Sequence, residues 1–385
     1  MSDPAAPIVT ASGLPATVPA AARLYLRPVG LAAGSEAEAI LVGGTARRLA
    51  GGPFAFAACQ VYVREPGRIR TGVAPLAEIE SWAERLPERA GGRVHGLLDR
   101  LTGERSGATF APGGRPVLMG VINATPDSFS DGGEHLDPDA AASHGKALIA
   151  SGAGILDVGG ESTRPGAAPV DPAVERDRVM PVLERLRPAV RDSGALLSLD
   201  SRHAEVMKPA LAAGAAVLND VTALTGDPDS LPVAAGSDAT VVLMHMQGEP
   251  ETMNVAPRYE HAALDVFDFL EERIAACVNA GIDRHRLIVD PGIGFGKSGE
   301  HNLRIMRALT LYHGTGCPVL IGASRKGLTG AFDREHAPRE RLPGSLAAAI
   351  RALDQGVQIL RVHDVAETRQ AVDVWESLVG LAGTR

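Results

Sequence analysis

Short apolar runs alternate with longer amphipathic segments over the last two thirds of the chain. The segments between the runs, such as 174–189 and 259–280, are rich in Ala, Leu, Arg and Glu and are typical of helices. Several of them end on a glycine that suits a helix C-terminus: Gly152, Gly194, Gly214, Gly281 and Gly356. The eight apolar runs have the length of buried strands and span 117–122, 154–158, 195–199, 215–218, 240–244, 286–289, 318–321 and 358–362. Eight strand–helix units in about 270 residues predict an α/β fold, a (β/α)8 barrel.

Polar or charged residues directly follow every one of these runs. They are Asn123, residues 159–166, Asp200 with Ser201, Asn219 with Asp220, His245, residues 290–297, residues 324–326, and His363 with Asp364. In a barrel the carboxyl ends of all eight strands meet at one mouth, whereas a doubly wound sheet concentrates its ligands at one switch point. The pattern therefore favours the barrel, with the doubly wound sheet as the alternative.

The first part of the chain has a different pattern. Residues 1–22, rich in Ala, Pro, Ser and Thr, predict a mobile tail, and residues 106–115 predict a linker to a barrel at 116–385. Residues 23–105 predict a small α/β extension with strands at 23–28 and 54–63, a possible third at 39–42, and helices at 76–86 and 93–101. The extension carries no catalytic pattern, so we expect a cap packed on the barrel, with an interaction module as the alternative. Residues 116–385 alone are then expected to fold and retain activity.

Composition narrows the possible functions. The chain has 385 residues, 45% of them hydrophobic, and a formal net charge of −8, which argues against a general nucleic-acid binder. Its three cysteines are far apart and form no CxxC pair, so neither a disulfide framework nor a zinc site is indicated. No apolar run has the length of a membrane span, and the first basic residue is Arg23, which does not suit a secretory signal. We therefore expect a cytoplasmic protein.

Four polar residues of the predicted mouth suit a flat, amide-rich heterocycle. Asp200, Asn219 and Asp290 follow the third, fourth and sixth strands, and Lys326 follows the seventh. Carboxylate and amide groups match a guanidine-like edge, and a lysine donates to ring oxygen or nitrogen. A carboxylate at a strand end is often only a helix cap. The convergence of two carboxylates, an amide and a lysine nevertheless favours a binding pocket. The glycine loop after Asp290 is not a nucleotide-binding loop, because Pro291 stands where that motif requires glycine.

Other residues suit a phosphate. Arg164, Arg361 and His363 follow the second and eighth strands, and phosphate sites in barrels often use the loops after the last strands. Asn123 could contribute an oxygen ligand to Mg²⁺. Alternatively, the arginines are solvated surface charges and Asn123 only forms a turn. His245, between two methionines, is expected to be a packed core residue.

Eight segments of the barrel resemble the dihydropteroate synthase family closely and in the correct order. They are MGVINATPDSFSDGG (119–133), LDVGGESTRPGA (156–167), LSLDS (197–201), LND (218–220), LMHMQG (243–248), VDPGIGFGKS (289–298), IGASRKG (321–327) and RVHDV (361–365). The resemblance covers about residue 116 to the C-terminus. It implies a TIM barrel, usually a homodimer, that condenses 6-hydroxymethyl-7,8-dihydropterin pyrophosphate with 4-aminobenzoate by loss of pyrophosphate followed by attack of the amine.

The resemblance also implies roles for individual residues. The pterin pocket would comprise Asp200, Asn219, Met244, Asp290 and Lys326. The pyrophosphate site would comprise Asn123, Arg164, Arg361 and His363, with Mg²⁺ bound at Asn123. The aminobenzoate site would comprise Phe129, Thr163, Arg164, Pro165, Phe295, Ser324 and Lys326. The departures are Ser201, where the family more often has threonine, and Gly327, near the contacts of the aminobenzoate carboxylate.

Two rival functions share the barrel. A pterin-binding methyltransferase would keep the pterin pocket but lack the pyrophosphate residues, so Arg164, Arg361 and His363 count against it. A barrel that serves only as a scaffold would not need intact motifs at every strand end. We therefore predict the dihydropteroate synthase reaction.

Overall fold

The computed structural model describes residues 8–10, 13–105, 115–125, 137–162, 167–249, 252–253, 255–327 and 337–381. From residue 115 onward, strands and helices alternate regularly. The strands are β7 (Val117–Asn123), β8 (Ile155–Gly159), β9 (Leu196–Asp200), β10 (Val217–Asp220), β11 (Thr240–Met244), β12 (Leu287–Asp290), β13 (Leu320–Ile321) and β14 (Ile359–Val362). The helices are α4 (Pro138–Ala150), α5 (Pro172–Ser193), α6 (Ala204–Ala212), α7 (Ser230–Ala235), α8 (Ala262–Asn279), α9 (Gly299–Met306), α10 (Leu342–Leu353) and α11 (Val365–Leu378).

These eight strands form one parallel sheet that curves into a barrel. Their order is β12-β11-β10-β9-β8-β7-β14-β13. The amide of Val289 donates to the carbonyl of Pro318 at 2.9 Å, and Val289 bridges to Val319, so β12 meets β13. The predicted fold class is confirmed, and all eight predicted strands lie within a few residues of the observed ones. The five glycines predicted at helix ends have left-handed backbone angles, with φ between 76° and 102°.

The preceding part of the chain is a separate α/β layer. It contains β1 (Ile8–Thr10), β2 (Arg23–Val29), β3 (Arg47–Arg48), β4 (Ala55–Phe56), β5 (Ala58–Glu65) and β6 (Arg68–Pro75), with helices α1 (Gly34–Val42), α2 (Leu76–Arg85) and α3 (Glu88–Thr102). Four strands form a sheet in the order β1-β6-β5-β2, in which β1 runs parallel to β6 and the other neighbours are antiparallel.

One prediction for this region is wrong. The possible third strand at 39–42 is the end of helix α1, because the Glu- and Ala-rich residues before it favour a helix. The described part of residues 1–22 contains strand β1, and the Trp82 indole donates to Pro15 O at 2.9 Å. The mobile tail stays a prediction. Sequence analysis also missed β6, whose alternating Arg and apolar residues pair along the whole of β5.

The sheet and helix α3 pack on the outside of the barrel, against α8 and the 3₁₀ helix Leu309–Thr315. The Tyr25 ring meets Phe267 edge-on at 5.7 Å, and the Tyr25 hydroxyl donates to Asp268 at 2.8 Å. Arg23 and Arg93 donate to Glu271 at 2.8 and 3.0 Å. The extension is thus joined to the barrel through a shared apolar core and a set of ion pairs. Within the described ranges, no helix is long and apolar enough to cross a membrane.

Candidate active site

Two layers of side chains fill the barrel interior. The lower layer is apolar and consists of Met119, Ile155, Val217, Val242, Ile288, Leu320 and Ile359, with Leu196 packed against it. Because residues two apart on a strand point to the same side, the residue two positions later also faces inward. On most strands that next position is polar or amphipathic: Asp157, Ser198, Asn219, Met244, Asp290 and Arg361. The alternation along the strands therefore places a polar layer above the apolar layer, at the carboxyl ends of the strands.

Asp157 is at the centre of the polar layer. It is completely buried, and its carboxylate accepts from Ser198 Oγ at 2.6 Å, Asn219 Nδ2 at 3.0 Å and Arg361 Nε at 2.6 Å. The bond from Asn219 commits the amide nitrogen to Asp157, so the amide oxygen is left to face a ligand. Asp157 therefore orients both Asn219 and Arg361.

Arg361 links Asp157 to a second carboxylate. Its Nη2 donates to Asp200 Oδ2 at 2.6 Å. Burial raises the pKa of Asp200; Arg361 opposes this rise, whereas Asp157 adds to it. Asp200 and Asp157 thus share one guanidinium in a nearly closed environment, where the charge of an uncompensated carboxylate is expensive.

Asp290 begins a tight glycine loop. The amide of Gly292 donates to Asp290 Oδ1 at 2.7 Å, and burial raises the pKa of Asp290 although Lys326 opposes the rise. Gly292 has a φ of 69°, and a Cβ at this position would overlap the carbonyl oxygen of His245. Glycine is therefore required for the loop to pass this close to the neighbouring strand end.

A buried lysine holds this loop in place. Lys297 Nζ lies 2.9 Å from His245 Nδ1 and donates to the carbonyl oxygens of His245, Gly292 and Phe295 at 3.1, 2.8 and 2.9 Å. Burial lowers the pKa of Lys297 well below its ordinary value, and burial beside Lys297 does the same for His245. Lys297 therefore ties the loop after β12 to the end of β11. His245 is a packed residue of this network, as expected.

Lys326 lies against the loop, next to an apolar wall that includes Phe295. The ammonium of Lys326 is 4.3 Å from the centre of the Phe295 ring and donates to Ile293 O at 2.6 Å. Burial lowers the pKa of Lys326 to about 8, although Asp290 opposes the shift. Phe295 packs with Met244 and with the apolar side chains Val221 and Met253. This part of the mouth offers one cationic donor beside a flat apolar surface.

His363 is on the remaining side of the mouth. Its Nδ1 lies 3.1 Å from Ser324 Oγ, which also accepts from the His363 amide at 3.2 Å. Burial, together with the charges of Arg361 and Arg325, lowers the pKa of His363 to about 3. Arg325 itself has a φ of 58° and forms an ion pair with Asp364. The imidazole is therefore neutral near pH 7.

Comparison with known proteins agrees with this geometry. The profile of the family described as pterin binding enzyme matches residues 119–363. The chain belongs to the pterin binding enzyme family. It is 44% identical over 262 residues to the dihydropteroate synthase of Escherichia coli (strain K12), covering 68% of this chain and 91% of that protein. It is 45% identical over 269 residues to the dihydropteroate synthase of Neisseria meningitidis serogroup B, covering 69% and 93%.

Solved structures of the family superimpose on the barrel. Dihydropteroate synthase from Xanthomonas albilineans with 4-aminobenzoic acid has 46% sequence identity and a TM-score of 0.64, covering 69% of this chain and 93% of that one. The same enzyme in complex with 7,8-dihydropteroate has 44% identity and a TM-score of 0.62, covering 69% and 94%. The comparisons therefore agree with the predicted barrel.

The predicted site residues of this family member fall into two groups. The structure brings together Asp200, Asn219, Met244, Asp290, Lys326, Phe295, Ser324, Arg361 and His363 at one barrel mouth, and Asn123 ends β7 at the same side. Phe129, Thr163, Arg164 and Pro165 lie outside the described residues. Arg361, predicted for pyrophosphate, also donates to Asp200 of the predicted pterin pocket and to Asp157.

Sequence reasoning missed two residues of the site. Asp157 lies inside an apolar run, and the signal that could have found it is its position two residues after the inward-facing Ile155. Lys297 lies in a motif that was rejected as a nucleotide loop, and no local pattern indicates that its ammonium turns inward to three carbonyl groups.

Proposed function

We propose that this protein is a dihydropteroate synthase of folate biosynthesis. It condenses 6-hydroxymethyl-7,8-dihydropterin pyrophosphate with 4-aminobenzoate and releases 7,8-dihydropteroate and pyrophosphate. The observation that carries the proposal is the buried polar layer at the barrel mouth, in which Asp200, Asn219 and Asp290 converge with Lys326. Relatives that are more than 40% identical to it over the aligned residues carry the same name, and one of them is known with 4-aminobenzoic acid and with 7,8-dihydropteroate.

The polar layer suits the pterin ring. Asp200 and Asp290 each accept a single hydrogen bond from the described part of the protein, and a carboxylate can accept about four. Their remaining capacity suits the N–H groups of an aminopyrimidine edge. The Asn219 amide oxygen accepts a further N–H, and Lys326 donates to the ring oxygen or nitrogen. Met244 and Phe295 cover a face of the ring.

Arg361 and His363 suit the leaving group. Residues two apart on one strand reach the same side, so both can donate to one pyrophosphate, and Arg164 is proposed as a third donor. His363 keeps its second ring nitrogen for this purpose, because Nδ1 already faces Ser324. The negative charge of the pyrophosphate opposes the effect of Arg361 on the imidazole, raises its pKa and so favours the protonated form that can donate to the leaving group.

Mg²⁺ is proposed as the metal cofactor. Asn123, at the carboxyl end of β7, supplies a neutral oxygen, which suits an ion that keeps most of its waters and binds substrate phosphates. When bound, the ion would neutralise charge on the departing pyrophosphate. The chain itself holds the pterin and excludes water. The amine of 4-aminobenzoate is a neutral nucleophile near pH 7, so no strong base is required, and loss of pyrophosphate is proposed to precede its attack.

The test is direct. Purified full-length protein is mixed with both substrates, with and without Mg²⁺, and dihydropteroate and pyrophosphate are measured. The proposal predicts equimolar products that depend on both substrates and on the metal. Failure to form dihydropteroate would contradict it. Pyrophosphate-independent methyl transfer to a thiol would support the methyltransferase alternative instead.

Assembly and location stay proposals, the first taken from the family and the second from the cysteine pattern of the sequence. We expect a homodimer in the cytoplasm, since the family is usually dimeric. One chain has a mass of 40.0 kDa, so light scattering should give twice that mass. A monomeric mass at micromolar concentration would contradict the dimer.

A further inference from the structure

Three side chains that the proposed reaction does not use meet beside the barrel mouth. Glu161 follows β8, Glu175 lies in the first turn of α5, and His203 lies at the N-terminus of α6. One potential ligand atom from each lies within 4.8 Å of the other two. Their side chains are only 7%, 0% and 16% exposed, so they are not an ordinary surface cluster of acids.

One oxygen of this cluster lacks a donor. Glu175 Oε2 accepts from Ser201 Oγ at 3.1 Å and faces His203 Nδ1 at 2.7 Å. Glu175 Oε1 is buried and has no hydrogen-bond partner within the described part of the chain. An unsatisfied buried carboxylate oxygen is costly, and such an atom calls for a bound water or ion.

Glu161 forms an ion pair with Arg202, which also lies close to a second carboxylate, that of Glu249. Arg202 donates to the two Glu161 oxygens at 3.0 and 3.1 Å, and the amide of Val170 donates at 3.1 Å. Arg202 also reaches Glu249 at 3.4 Å. Arg202 can therefore keep an ion pair with Glu249 if a metal ion takes its place on Glu161.

We propose that Glu161, Glu175 and His203 form a binding site for a divalent transition-metal ion, with Zn²⁺ as the best match. Two carboxylates and a neutral imidazole balance a double positive charge and supply the mixed oxygen and nitrogen donors that zinc accepts. Mg²⁺ prefers oxygen donors alone, which separates this site from the one proposed at Asn123. Zinc bonds are about 2.1 Å long, so tetrahedral ligands lie roughly 3.4 Å apart. The His203 Nδ1–Glu175 Oε2 pair, at 2.7 Å, would open slightly, and the more distant ligand atoms, which lie within 4.8 Å, would close.

The ion would join two loops of the barrel. Glu161 begins the segment between β8 and α5, and His203 begins α6 after β9. Binding to the folded state alone would stabilise the protein by mass action. This inference rests on the local geometry and not on the proposed reaction, so the two can fail separately.

Calorimetric titration of zinc into chelator-treated full-length protein tests the site. The expected result is one saturable site per chain and a higher melting temperature with zinc. His203→Ala and Glu175→Gln should abolish this binding, and His285→Ala, at an exposed histidine, should preserve it. Arg202→Gln removes the competing cation and should tighten binding. Circular dichroism establishes that each variant is folded; if Glu175→Gln does not fold, the half-buried His203 carries the test.

X-ray absorption at the zinc edge gives an independent result. The expected spectrum contains oxygen and nitrogen neighbours with the outer-shell signature of one imidazole. A sulfur neighbour at about 2.3 Å would place the ion on a cysteine and overturn the proposal. Three other results would also overturn the proposal. They are the absence of saturable zinc binding, a zinc-soaked crystal in which a water and no zinc ion contacts Glu175, and unchanged zinc binding in His203→Ala.

Discussion

Buried carboxylates meet arginine in two regions of the molecule, the interface between the extension and α8, and the barrel mouth. At the interface, Glu271 contacts Arg23, Arg93 and Arg100. Burial raises the pKa of Glu271, but these arginines outweigh burial and lower it below its ordinary value. The neighbouring Asp268 keeps a pKa raised by burial, yet it too contacts two arginines and the Tyr25 hydroxyl.

At the barrel mouth, burial raises the pKa of the carboxylate more than arginine lowers it. Asp157 and Asp200 share Arg361, and the pKa of Asp200 stays above its ordinary value. Exposure does not explain the difference, because the side chains of Asp200 and Glu271 are both mostly buried, at 10% and 19% exposure. The difference lies in the supply of donors. Glu271, which is surrounded by three arginines, holds two layers together, whereas Asp200 keeps spare acceptor capacity that is available to a ligand.

The largest expected effect is that of removing the extension. A fragment of residues 115–385 exposes to water the apolar face of α8 that the extension covers, including Phe267, and removes the arginine partners of Asp268 and Glu271. We expect this fragment to be insoluble or to melt far below the full chain in a circular dichroism scan. The sequence alone predicts instead that residues 116–385 fold and retain activity without the extension. Cooperative melting at the full-length temperature would show that the interface is dispensable.

The next effect is expected from Arg361→Ala. The change leaves Asp157 and Asp200 as buried, uncompensated acids and should lower the free energy of unfolding by about 3–5 kcal/mol at pH 7. Urea denaturation measures this loss. Because protonation of Asp200 relieves the repulsion, the loss should shrink as pH falls. A loss that does not change with pH would argue against buried charge as its cause.

A smaller effect concerns the pH dependence of pterin binding. Lys326 loses its proton as pH rises through its lowered pKa of about 8. Affinity for the pterin should therefore fall above about pH 8, because the ammonium donor is lost. Lys326→Arg stays protonated and should move the alkaline limb to higher pH. An alkaline limb at the same pH in both proteins would assign the titration to another group.

The smallest effect is expected from Arg23→Ala at the interface. Its side chain is 41% exposed, and Glu271 keeps Arg93 and Arg100. Such a pair contributes about 0–1 kcal/mol, so urea denaturation should give nearly the wild-type free energy. A loss as large as that of Arg361→Ala would remove the distinction between the two regions.

Much of this fold could be predicted from local pattern. The eight strands follow from apolar runs of strand length, and the mouth residues follow from polar residues at the strand ends. Asp157 could have been found by extending the alternation inward from Ile155. Lys297 could not, because burial of an ammonium against three carbonyls depends on how two distant loops pack. The interface was equally hidden, since Arg23 and Glu271 are 248 positions apart.

The central claim is that the polar layer of the mouth binds the pterin. Its most direct test is calorimetric titration of a hydroxymethyl pterin without pyrophosphate into the wild type, Asp290→Ala and the interface control Arg23→Ala. The account predicts that Asp290→Ala, once shown to be folded, loses roughly 1–3 kcal/mol of pterin affinity, while Arg23→Ala binds as the wild type does. Unchanged affinity in folded Asp290→Ala would remove this carboxylate from the pocket and contradict the account.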